Sequence, residues 1–404
     1  QEAILSYNQR YRDRWDFVAF RKFFLDFLPI QEKEDFFEYT LPEIIRLALL
    51  LPSLCTQAEI LSTLTPIPLL KKFVNHSVSL SQQQIACLLA NAFLCTFPRR
   101  NSRHKGSEYS NYPDINLNGL FQGGGKRKKF EKLKCIIHYF ERVTTKMPCG
   151  VVTFTRQYID NTPIWDDFKL LVPEQIHVSS QGTIEDDGFG LLQVDFANKF
   201  IGGGVLGHGC VQEEIRFVIC PEMLISRLFT EALDDKESLI MKGCERFSNY
   251  HGYADSFVWD GDHIDNGFRD VNGRLNTDVV GIDALVIHYP SDQFKSRMVK
   301  RELTKAYAGF EVVNDKSKNP SRPAVCTGNW GCGVFKGDKQ LKALIQLMAA
   351  SAAKRDVCYF TFGDDKLTED IYDIHKFLRE SEIEIGNLIC LPCIIGVMKL
   401  VEIV

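Results

Sequence analysis

Residues 190–217, GLLQVDFANKFIGGGVLGHGCVQEEIRF, are the most informative stretch of this 404-residue sequence. A strand-like run from Leu191 to Phe196 is followed by five glycines within eight residues, Gly202 to Gly209. Because glycine has no Cβ, such a loop takes positive φ angles easily and presents its backbone N–H groups to a diphosphate at close range. The pattern predicts an anion-binding loop directly after a buried strand.

Two adjacent glutamates, Glu213 and Glu214, follow Gln212 near the end of this stretch. Two carboxyls in different environments can supply a general acid and a general base. The run 215–219 is rich in β-formers, so we expect the glutamates in an extended segment, pointing to opposite sides with different roles. A solvated strand start is the alternative, and the adjacent glycine loop favours the catalytic pair.

Three of the glycines also fit a second motif. Gly202, Gly204 and Gly207 match the G-x-G-x-x-G pattern of dinucleotide-binding folds, with the acidic Glu222 twenty positions beyond Gly202. However, Gly209 follows, and no apolar periodicity of a phosphate-capping helix is visible after Gly207. Gly-Lys-Ser/Thr does not follow either. We therefore expect neither a Rossmann site nor a P-loop.

The rest of the chain divides into two regions. Up to about residue 145 the apolar residues recur at helical spacing, and Pro42 and Ser79 are typical of helix starts. After Pro148, short β-rich runs alternate with helical patterns, which predicts an α/β sandwich with a mixed or parallel sheet. The predicted strands are 151–154, 191–196, 215–219, 279–288 and 357–362, and the predicted helices are 222–232, 295–307 and 338–354.

A basic run, Lys126 to Lys129, ends a loop or linker that begins after Phe97. We interpret it as the solvated face at the start of a helix over residues 130–143. Contact with a polyanion, or a localisation signal, is the alternative.

Composition restricts the class of protein. Apolar residues make up 45% and charged residues 25%, which is ordinary for a globular chain, and the length predicts two domains. The net charge of −4 indicates no nucleic-acid or membrane surface, and the longest apolar stretches, 41–55 and 388–404, fall short of a membrane span. The 13 cysteines are scattered, so we expect a reducing compartment, and no signal peptide is visible.

Three glycines, a gap of six to eight residues and then Gln-Glu-Glu is the signature of the poly(ADP-ribose) glycohydrolase family, which this sequence resembles. The gap here, Val205 to Val211, is seven residues. Further blocks in family order are residues 150–157, 194–198, 225–230, 327–333 and 359–364, so that the resemblance covers about residues 125 to 385.

The resemblance implies a macrodomain-like three-layer α/β sandwich with a mixed sheet, residues 146–404, preceded by an all-helical accessory region, residues 1–145. It also implies hydrolysis of the ribose–ribose bonds of poly(ADP-ribose), mainly from the free end, with release of ADP-ribose. The expected partner is poly(ADP-ribose) on ADP-ribosylated proteins, without sequence-specific nucleic acid or membrane. A monomer in the nucleus or cytoplasm, with a part in the DNA damage response, is expected.

The resemblance also assigns roles at the site of cleavage. Glu214 is the acid that protonates the departing ribose oxygen and then activates water, while Glu213 and Asn198 hold ribose hydroxyls. We expect Asp195 to fix the loop by hydrogen bonds, although an edge position on a strand would explain it equally. The remaining residues of the loop that are expected to contact substrate are Gly202, Gly203, Gly204 and Gln212.

Adenine requires a stacking face and a partner for its edge. By resemblance Tyr253 stacks on the base, the segment Thr183, Ile184 and Glu185 reads its edge, and Phe362 lies on the other side unless it is a core residue. A second glycine-rich turn fits a second phosphate cradle, with Trp330 as its structural support. The residues expected to bind there are Asn329, Gly333, Val334 and Phe335.

Several other features are discounted. Cys390 and Cys393 form a C-x-x-C pair without a second pair or a nearby histidine, so we interpret them as buried thiols rather than zinc ligands. Cys326 and Cys332 are expected to be buried or incidental, and His208 is expected at a solvent-facing loop tip. The acidic clusters 185–187 and 234–235 lack calcium-ligand spacing. We therefore predict catalysis without a metal or another cofactor.

Two alternatives stay open. A macrodomain that reads ADP-ribose ends without cutting them would bind through the same residues, but would not need both Glu213 and Glu214. A dinucleotide-dependent oxidoreductase would bind NAD rather than ADP-ribose.

Overall fold

The structure is a computed structural model that describes residues 1–56, 67–100, 104, 106–312 and 322–389. Its helices are α1 Glu2–Tyr7, α2 Val18–Lys22, α3 Ile30–Asp35, α4 Leu41–Leu49, α5 Leu51–Thr56, α6 Gln82–Phe93, α7 Asn118–Phe121, α8 Arg127–Thr145, α9 Ile184–Asp187, α10 Gln212–Ile219, α11 Ser226–Phe229, α12 Ser296–Phe310, α13 Lys339–Ala352, α14 Asp365–Glu380 and α15 Ile385–Leu388. Its strands are β1 His76–Ser81, β2 Val151–Tyr158, β3 Ile176–Ser179, β4 Leu192–Asp195, β5 Glu237–Lys242, β6 Ser248–His251, β7 Val258–Asp262, β8 Asp278–Gly281, β9 Val325–Gly328 and β10 Val357–Phe360.

Eight of these strands form one mixed sheet in the order β1-β2-β5-β8-β4-β9-β10-β3. The half from β1 to β8 is antiparallel, and the half from β8 to β3 is parallel. In the parallel half, β4 and β9 are buried along their whole length, because helices cover both faces there. β6 and β7 form a separate antiparallel pair.

Helices pack on both faces of the sheet, which makes three layers. Neighbouring side chains of a strand point to opposite faces, and accordingly Val279 belongs to one buried cluster and Val280 to the other. The first cluster joins the sheet to α6, α8 and α10, and the second joins it to α12, α13 and α14. The predicted three-layer sandwich with a mixed sheet is confirmed.

The N-terminal region is mainly helical but is not all-helical. Ser79, which we expected at a helix start, lies inside β1, and β1 pairs with β2 at the edge of the sheet. The helix begins at Gln82 instead, where the Ser81 hydroxyl accepts a hydrogen bond from Gln84 N at 3.1 Å and Gln84 Oε1 accepts one from Ser81 N. The start at Pro42 is confirmed, since this proline lies in the first turn of α4.

Three further predictions of secondary structure are wrong in whole or in part. The strand expected over 279–288 ends at Gly281. Residues 215–219, expected as a strand, belong to helix α10. The helical pattern over 222–232 breaks into a 3₁₀ turn, Pro221–Ile225, and the single turn of α11. The helices predicted over 295–307 and 338–354 are confirmed as α12 and α13. Throughout the described ranges, every helix is too short or too polar to span a membrane.

Candidate active site

A cavity of about 420 Å³ opens at the carboxyl ends of the parallel strands. Ligands of open α/β sheets bind at this edge, because loops from several strands converge there. Of the residues predicted from the sequence, the cavity is lined by Thr183, Ile184, Glu185, Gln212, Glu213, Tyr253, Asn329, Gly333, Val334, Phe335 and Phe362.

Glu213 and Glu214 lie in the first turn of α10 rather than in an extended segment. At 3.6 residues per turn, neighbours on a helix diverge by about 100°, so the two carboxyls still have different surroundings. The Glu213 carboxylate accepts hydrogen bonds from Gly202 N at 2.5 Å and Asn198 N at 2.9 Å. The Glu214 carboxylate accepts bonds from Gly204 N and Val211 N, both at 2.9 Å. The glycine loop is therefore fastened to both glutamates.

The structure contradicts one of the reasons given above for rejecting a Rossmann site. We expected no helix after Gly207, yet α10 begins five residues later. Glu222, the acidic residue of that motif, is fully buried and bonds to Gln82 Nε2 at 2.7 Å and Glu245 N at 2.8 Å. Glu222 lines none of the cavities described, so its carboxyl is not placed to accept a hydrogen bond from a ribose hydroxyl.

Gly203 shows a reason for glycine that the sequence alone did not reveal. Its φ is +45°, and a Cβ there would lie 2.6 Å from Glu213 Oε2 and 2.6 Å from Glu214 Oε1. The missing side chain thus makes room for the two carboxyls and not only for a ligand.

The carbonyl groups of the same loop face two buried cations that our sequence analysis did not identify as functional. Arg227 Nη1 donates to Ile201 O at 2.6 Å and Gly203 O at 3.2 Å. Lys132 Nζ, from α8, donates to three carbonyls further along the loop. Arg227 lies in the block 225–230, which is one of those that resemble the family. Nothing in the helical pattern around Lys132 distinguishes this lysine from a surface residue.

Asp195, at the end of β4, does not fix the loop through its side chain. The side chain is fully buried, and neither carboxyl oxygen has a hydrogen-bond partner within the described structure. Burial raises the pKa of Asp195 to about 8, although nearby Arg216 opposes the shift. Burial, with Asp195 and Glu214 close by, also raises the pKa of Glu213 well above its usual value. The site therefore contains carboxyls that favour the protonated form.

The two expected stacking residues contact each other. The ring centroids of Tyr253 and Phe362 are 5.2 Å apart, with the planes tilted by 55°. A base between two rings needs about 7 Å, twice a van der Waals contact, so one ring has to move before adenine enters between them. Phe362 is 68% exposed at a φ of +59°, which identifies it as a rim residue rather than a core residue.

The segment expected to read the adenine edge forms helix α9. The Thr183 hydroxyl caps this helix by accepting a bond from Asp186 N at 3.1 Å. Glu185 accepts a hydrogen bond from the Tyr250 hydroxyl, and both residues line the cavity. Tyr250 is thus a site residue that the sequence analysis missed, although it lies three positions before Tyr253.

The second glycine-rich turn follows β9. The Asn329 side chain is already occupied, since Nδ2 donates to Thr361 O at 3.0 Å and Oδ1 accepts from the Tyr359 hydroxyl at 3.1 Å. Trp330 is fully buried and donates to Ile282 O at 2.9 Å, as expected of a structural support. Gly333 and Val334 are exposed at the cavity rim, and their role as a phosphate cradle stays a prediction.

Asn198 lies beside the site rather than in it. Its side-chain oxygen accepts a hydrogen bond from Phe200 N at 3.0 Å, and its backbone N–H donates to Glu213. Its predicted contact with a ribose hydroxyl is therefore untested, as are the contacts predicted for Gly202, Gly203 and Gly204 through their backbone.

The discounted features lie as follows. His208 is exposed at the tip of the loop, and Cys326 is fully buried. Lys126 and Arg127 are solvated as expected, but Lys129 is buried and donates to Gly119 O and Gln122 O. Cys332 is half-buried with a free thiol, while Cys390 and Cys393 lie outside the described residues. Within the described ranges no group of three or more His, Cys, Asp or Glu residues could hold a metal ion, and catalysis without a metal stays a prediction.

Fold and site together define an α/β sandwich protein with a carboxylate pair held under a glycine loop. Residues 162–369 match the family model described as poly(ADP-ribose) glycohydrolase, macro domain fold. Residues 28–156 match the model of the helical domain of the same family. The chain belongs to the poly(ADP-ribose) glycohydrolase family.

Curated relatives agree with this assignment. Poly(ADP-ribose) glycohydrolase 1 of Arabidopsis thaliana is 34% identical over 89% of this chain and 78% of its own length. Probable poly(ADP-ribose) glycohydrolase 2 of the same plant is 33% identical, with the same coverage of both chains. Poly(ADP-ribose) glycohydrolase 2 of Caenorhabditis elegans is 36% identical over 66% of this chain and 57% of its own length. A crystal structure of poly(ADP-ribose) glycohydrolase from Deinococcus radiodurans in complex with ADP-ribose is 16% identical in sequence. The alignment covers 46% of the present chain and 77% of the Deinococcus chain, and its TM-score of 0.26 is too low to establish a shared fold.

Proposed function

We propose that this protein hydrolyses the ribose–ribose O-glycosidic bonds of poly(ADP-ribose), mainly from the free end, and releases ADP-ribose. The observation that supports this best is the attachment of Glu213 and Glu214 to the glycine loop, at the edge where the parallel strands end. Glu213 lines the cavity itself, whereas Glu214 follows it in the same helical turn and is not part of the cavity wall. The names of the curated relatives, which belong to the same family, point to the same reaction.

In the proposed reaction Glu214 is the general acid and then the general base. Its carboxyl gives a proton to the bridging ribose oxygen as the bond from that oxygen to the anomeric carbon breaks. Water then attacks the anomeric carbon, and the Glu214 carboxylate takes a proton from it. Each Glu214 oxygen accepts one amide hydrogen bond, from Gly204 or Val211, and keeps a second lone pair for its contact with the substrate or the proton.

The rest of the cavity is assigned to the ADP-ribose unit. Glu185, oriented by Tyr250, receives the adenine edge, and Tyr253 supplies the stacking face. The glycine loop and the turn at Gly333 hold the diphosphate through backbone N–H groups. Glu213 holds ribose hydroxyls beside the reacting centre, for which its position in the cavity wall is suitable.

Incubation of the protein with radiolabelled poly(ADP-ribose) tests the reaction. We expect free ADP-ribose to accumulate, and its early appearance relative to short oligomers would support cleavage from the end. Retention of intact polymer by the wild type would instead identify a reader of ADP-ribose ends. Binding of NAD without binding of ADP-ribose, measured by calorimetry, would support the oxidoreductase.

We further propose that the protein acts as a monomer, in the nucleus or cytoplasm, on poly(ADP-ribose) attached to ADP-ribosylated proteins. None of the ten cysteines whose side chains the structure describes forms a disulfide, which suits a reducing compartment. Sedimentation of the purified protein tests the oligomeric state, and cell fractionation tests the compartment.

A further inference from the structure

The glycine loop carries two rows of polar groups, one facing the glutamate carboxyls and the other facing buried cations. Its N–H groups at Gly202, Gly204 and Val211 donate to the glutamate pair. Its carbonyl groups accept from Arg227 and Lys132, which we call the cation clamp. Both cations are buried, at 4% and 0% exposure respectively.

Single peptide groups connect Arg227 to each glutamate. The peptide between Ile201 and Gly202 accepts from Arg227 at 2.6 Å through its carbonyl and donates to Glu213 at 2.5 Å through its N–H. The peptide between Gly203 and Gly204 accepts from Arg227 at 3.2 Å and donates to Glu214 at 2.9 Å. A cation at the carbonyl end polarises the peptide and strengthens its N–H as a donor. Arg227 therefore reaches both carboxyls without contacting either.

Lys132 holds the second half of the loop. Its Nζ donates to Val205 O at 2.8 Å, Gly207 O at 2.9 Å and Gly209 O at 2.7 Å. An ammonium group has three N–H donors, so these carbonyls satisfy it completely. A buried charge destabilises the folded state unless it is hydrogen-bonded in this way. The bent loop places three carbonyl oxygens around the ammonium group of Lys132 and so compensates its burial. Burial lowers the pKa of Lys132 to about 8, so the ammonium form still prevails at neutral pH.

The two cations come from different parts of the fold. Arg227 lies in α11, beside the sheet, and Arg227 Nε is anchored on Asp114 O at 2.7 Å. Lys132 lies in α8, within residues 28–156 that match the helical domain of the family. The loop is thus held from both parts of the protein at once.

We propose that Lys132 and Arg227 are positioning residues that set the glycine loop, and through it Glu213 and Glu214, in the arrangement needed for cleavage. This inference rests on the proposed hydrolysis. It gives the N-terminal helical region a part in positioning the glutamates, through the single side chain of Lys132.

The test compares Lys132→Met and Arg227→Met with two matched controls. Lys129→Met removes a buried lysine one turn earlier on the same helix, whose Nζ bonds to Gly119 O and Gln122 O outside the loop. Arg355→Met removes a buried arginine that donates to Phe310 O and Pro323 O and does not line the cavity. The thermal midpoint of all four variants is measured first, so that kcat is compared below every midpoint.

We expect kcat on poly(ADP-ribose) to fall on the order of 30-fold or more in the clamp variants, since loss of a directly preorganised donor costs about 10²–10³. The controls should stay within about threefold of the wild type. Selective ¹⁵N-glycine labelling gives a second readout, because the signals of Gly202 and Gly204 should move in Arg227→Met and stay in place in Arg355→Met. Arg227→Lys and Lys132→Arg, which keep a cation, should recover part of kcat.

Unchanged kcat together with unmoved glycine signals in folded clamp variants would overturn the proposal. If the methionine variants do not fold, Lys132→Gln and Arg227→Gln remove the charge but keep a donor, and the same two outcomes decide. If the wild type binds ADP-ribose without cleaving polymer, the proposed reaction fails, while the glycine signals and the affinity for ADP-ribose still test the clamp.

Discussion

Glu214 holds two loop amides before any substrate is present. In Glu214→Gln the amide oxygen can still accept one of these bonds, but the side chain has no acidic proton to give. We expect the affinity for ADP-ribose to stay within a few-fold and cleavage to fall by about 10²–10⁴.

Calorimetry with ADP-ribose and a polymer-cleavage assay measure these two effects. Glu380→Gln, an exposed substitution at the end of α14, is the control that should leave both unchanged. Turnover of Glu214→Gln near the wild-type rate would mean that another group is the acid.

Asp195 makes stability depend on pH in a direction opposite to that of a paired carboxylate. Its pKa is about 8 in the folded protein against 3.8 for the free group, so the folded state retains the proton that the unfolded state releases. This contribution to stability is fully present below about pH 4 and is lost as the pH rises towards 8.

Asp195→Asn copies the neutral form and should not lose this contribution. The thermal midpoint of the variant relative to that of the wild type should therefore rise steadily from pH 5 to about pH 8 and then level off. A difference that is constant over this range would show that Asp195 is ionised in the folded protein.

At the scale of elements, the sequence predicted the sheet better than the turn that carries the chemistry. Residues 215–219 include Ile215, Val218 and Ile219, β-branched residues that favour strands. Burial of this face and the bond from Val211 N to the Glu214 carboxylate outweigh that preference and start a helix. The structure brings the glycines and the glutamates together, as expected from the sequence, while the shape that joins them depends on contacts from distant residues such as Lys132.

The glycine loop is expected to tolerate no side chain at Gly203. In Gly203→Ala the Cβ would meet both glutamate carboxyls at 2.6 Å, so we expect cleavage to fall at least 100-fold and the thermal midpoint to drop by several degrees. Gly261→Ala is the matched control, because Gly261 also has a positive φ but its Cβ would meet no atom within 4 Å. Equal losses in both variants would attribute the effect to backbone strain alone.

Tyr253, which we propose as the stacking face for adenine, is hydrogen-bonded to the helix that carries Glu213 and Glu214. Its hydroxyl accepts a bond from Gln212 N at 3.2 Å, at the start of α10, and its ring lies against Phe362. Tyr253→Ala should raise the KM for polymer by about 5- to 150-fold, as expected from 1–3 kcal/mol of lost stacking. Tyr253→Phe keeps the ring and should restore most of the affinity, and an unchanged KM in the alanine variant would contradict stacking.

At the scale of the whole molecule, the helical region and the sheet share one core. Phe93 and Phe140 from the helical part belong to the same buried cluster as Phe217 and Phe247. The boundary predicted at residue 145 lies at the end of α8 and before β2, but β1 crosses it to pair with β2. Periodicity in the sequence indicated the helices and could not indicate that one strand of the sheet lies among them.

Residues 146–404 should therefore not form an active enzyme alone. This fragment loses one face of the first cluster, the edge strand and Lys132, so we expect an insoluble product or one without a cooperative thermal transition. Co-expression with residues 1–145 should restore folded protein and cleavage. A soluble, active fragment would show that the two regions are energetically independent.

The attachment of the loop to both glutamates has a consequence for reagents made from this protein. A probe that captures the polymer has to bind it without cleaving it, and neutralising Glu213 or Glu214 is the direct way to abolish cleavage. Each carboxyl also fastens two amides, so a probe made by truncating either side chain would loosen the very segment meant to grasp the polymer. Replacement of the glutamate by glutamine preserves the shape of the side chain and one acceptor oxygen. It is therefore the better substitution for such a probe.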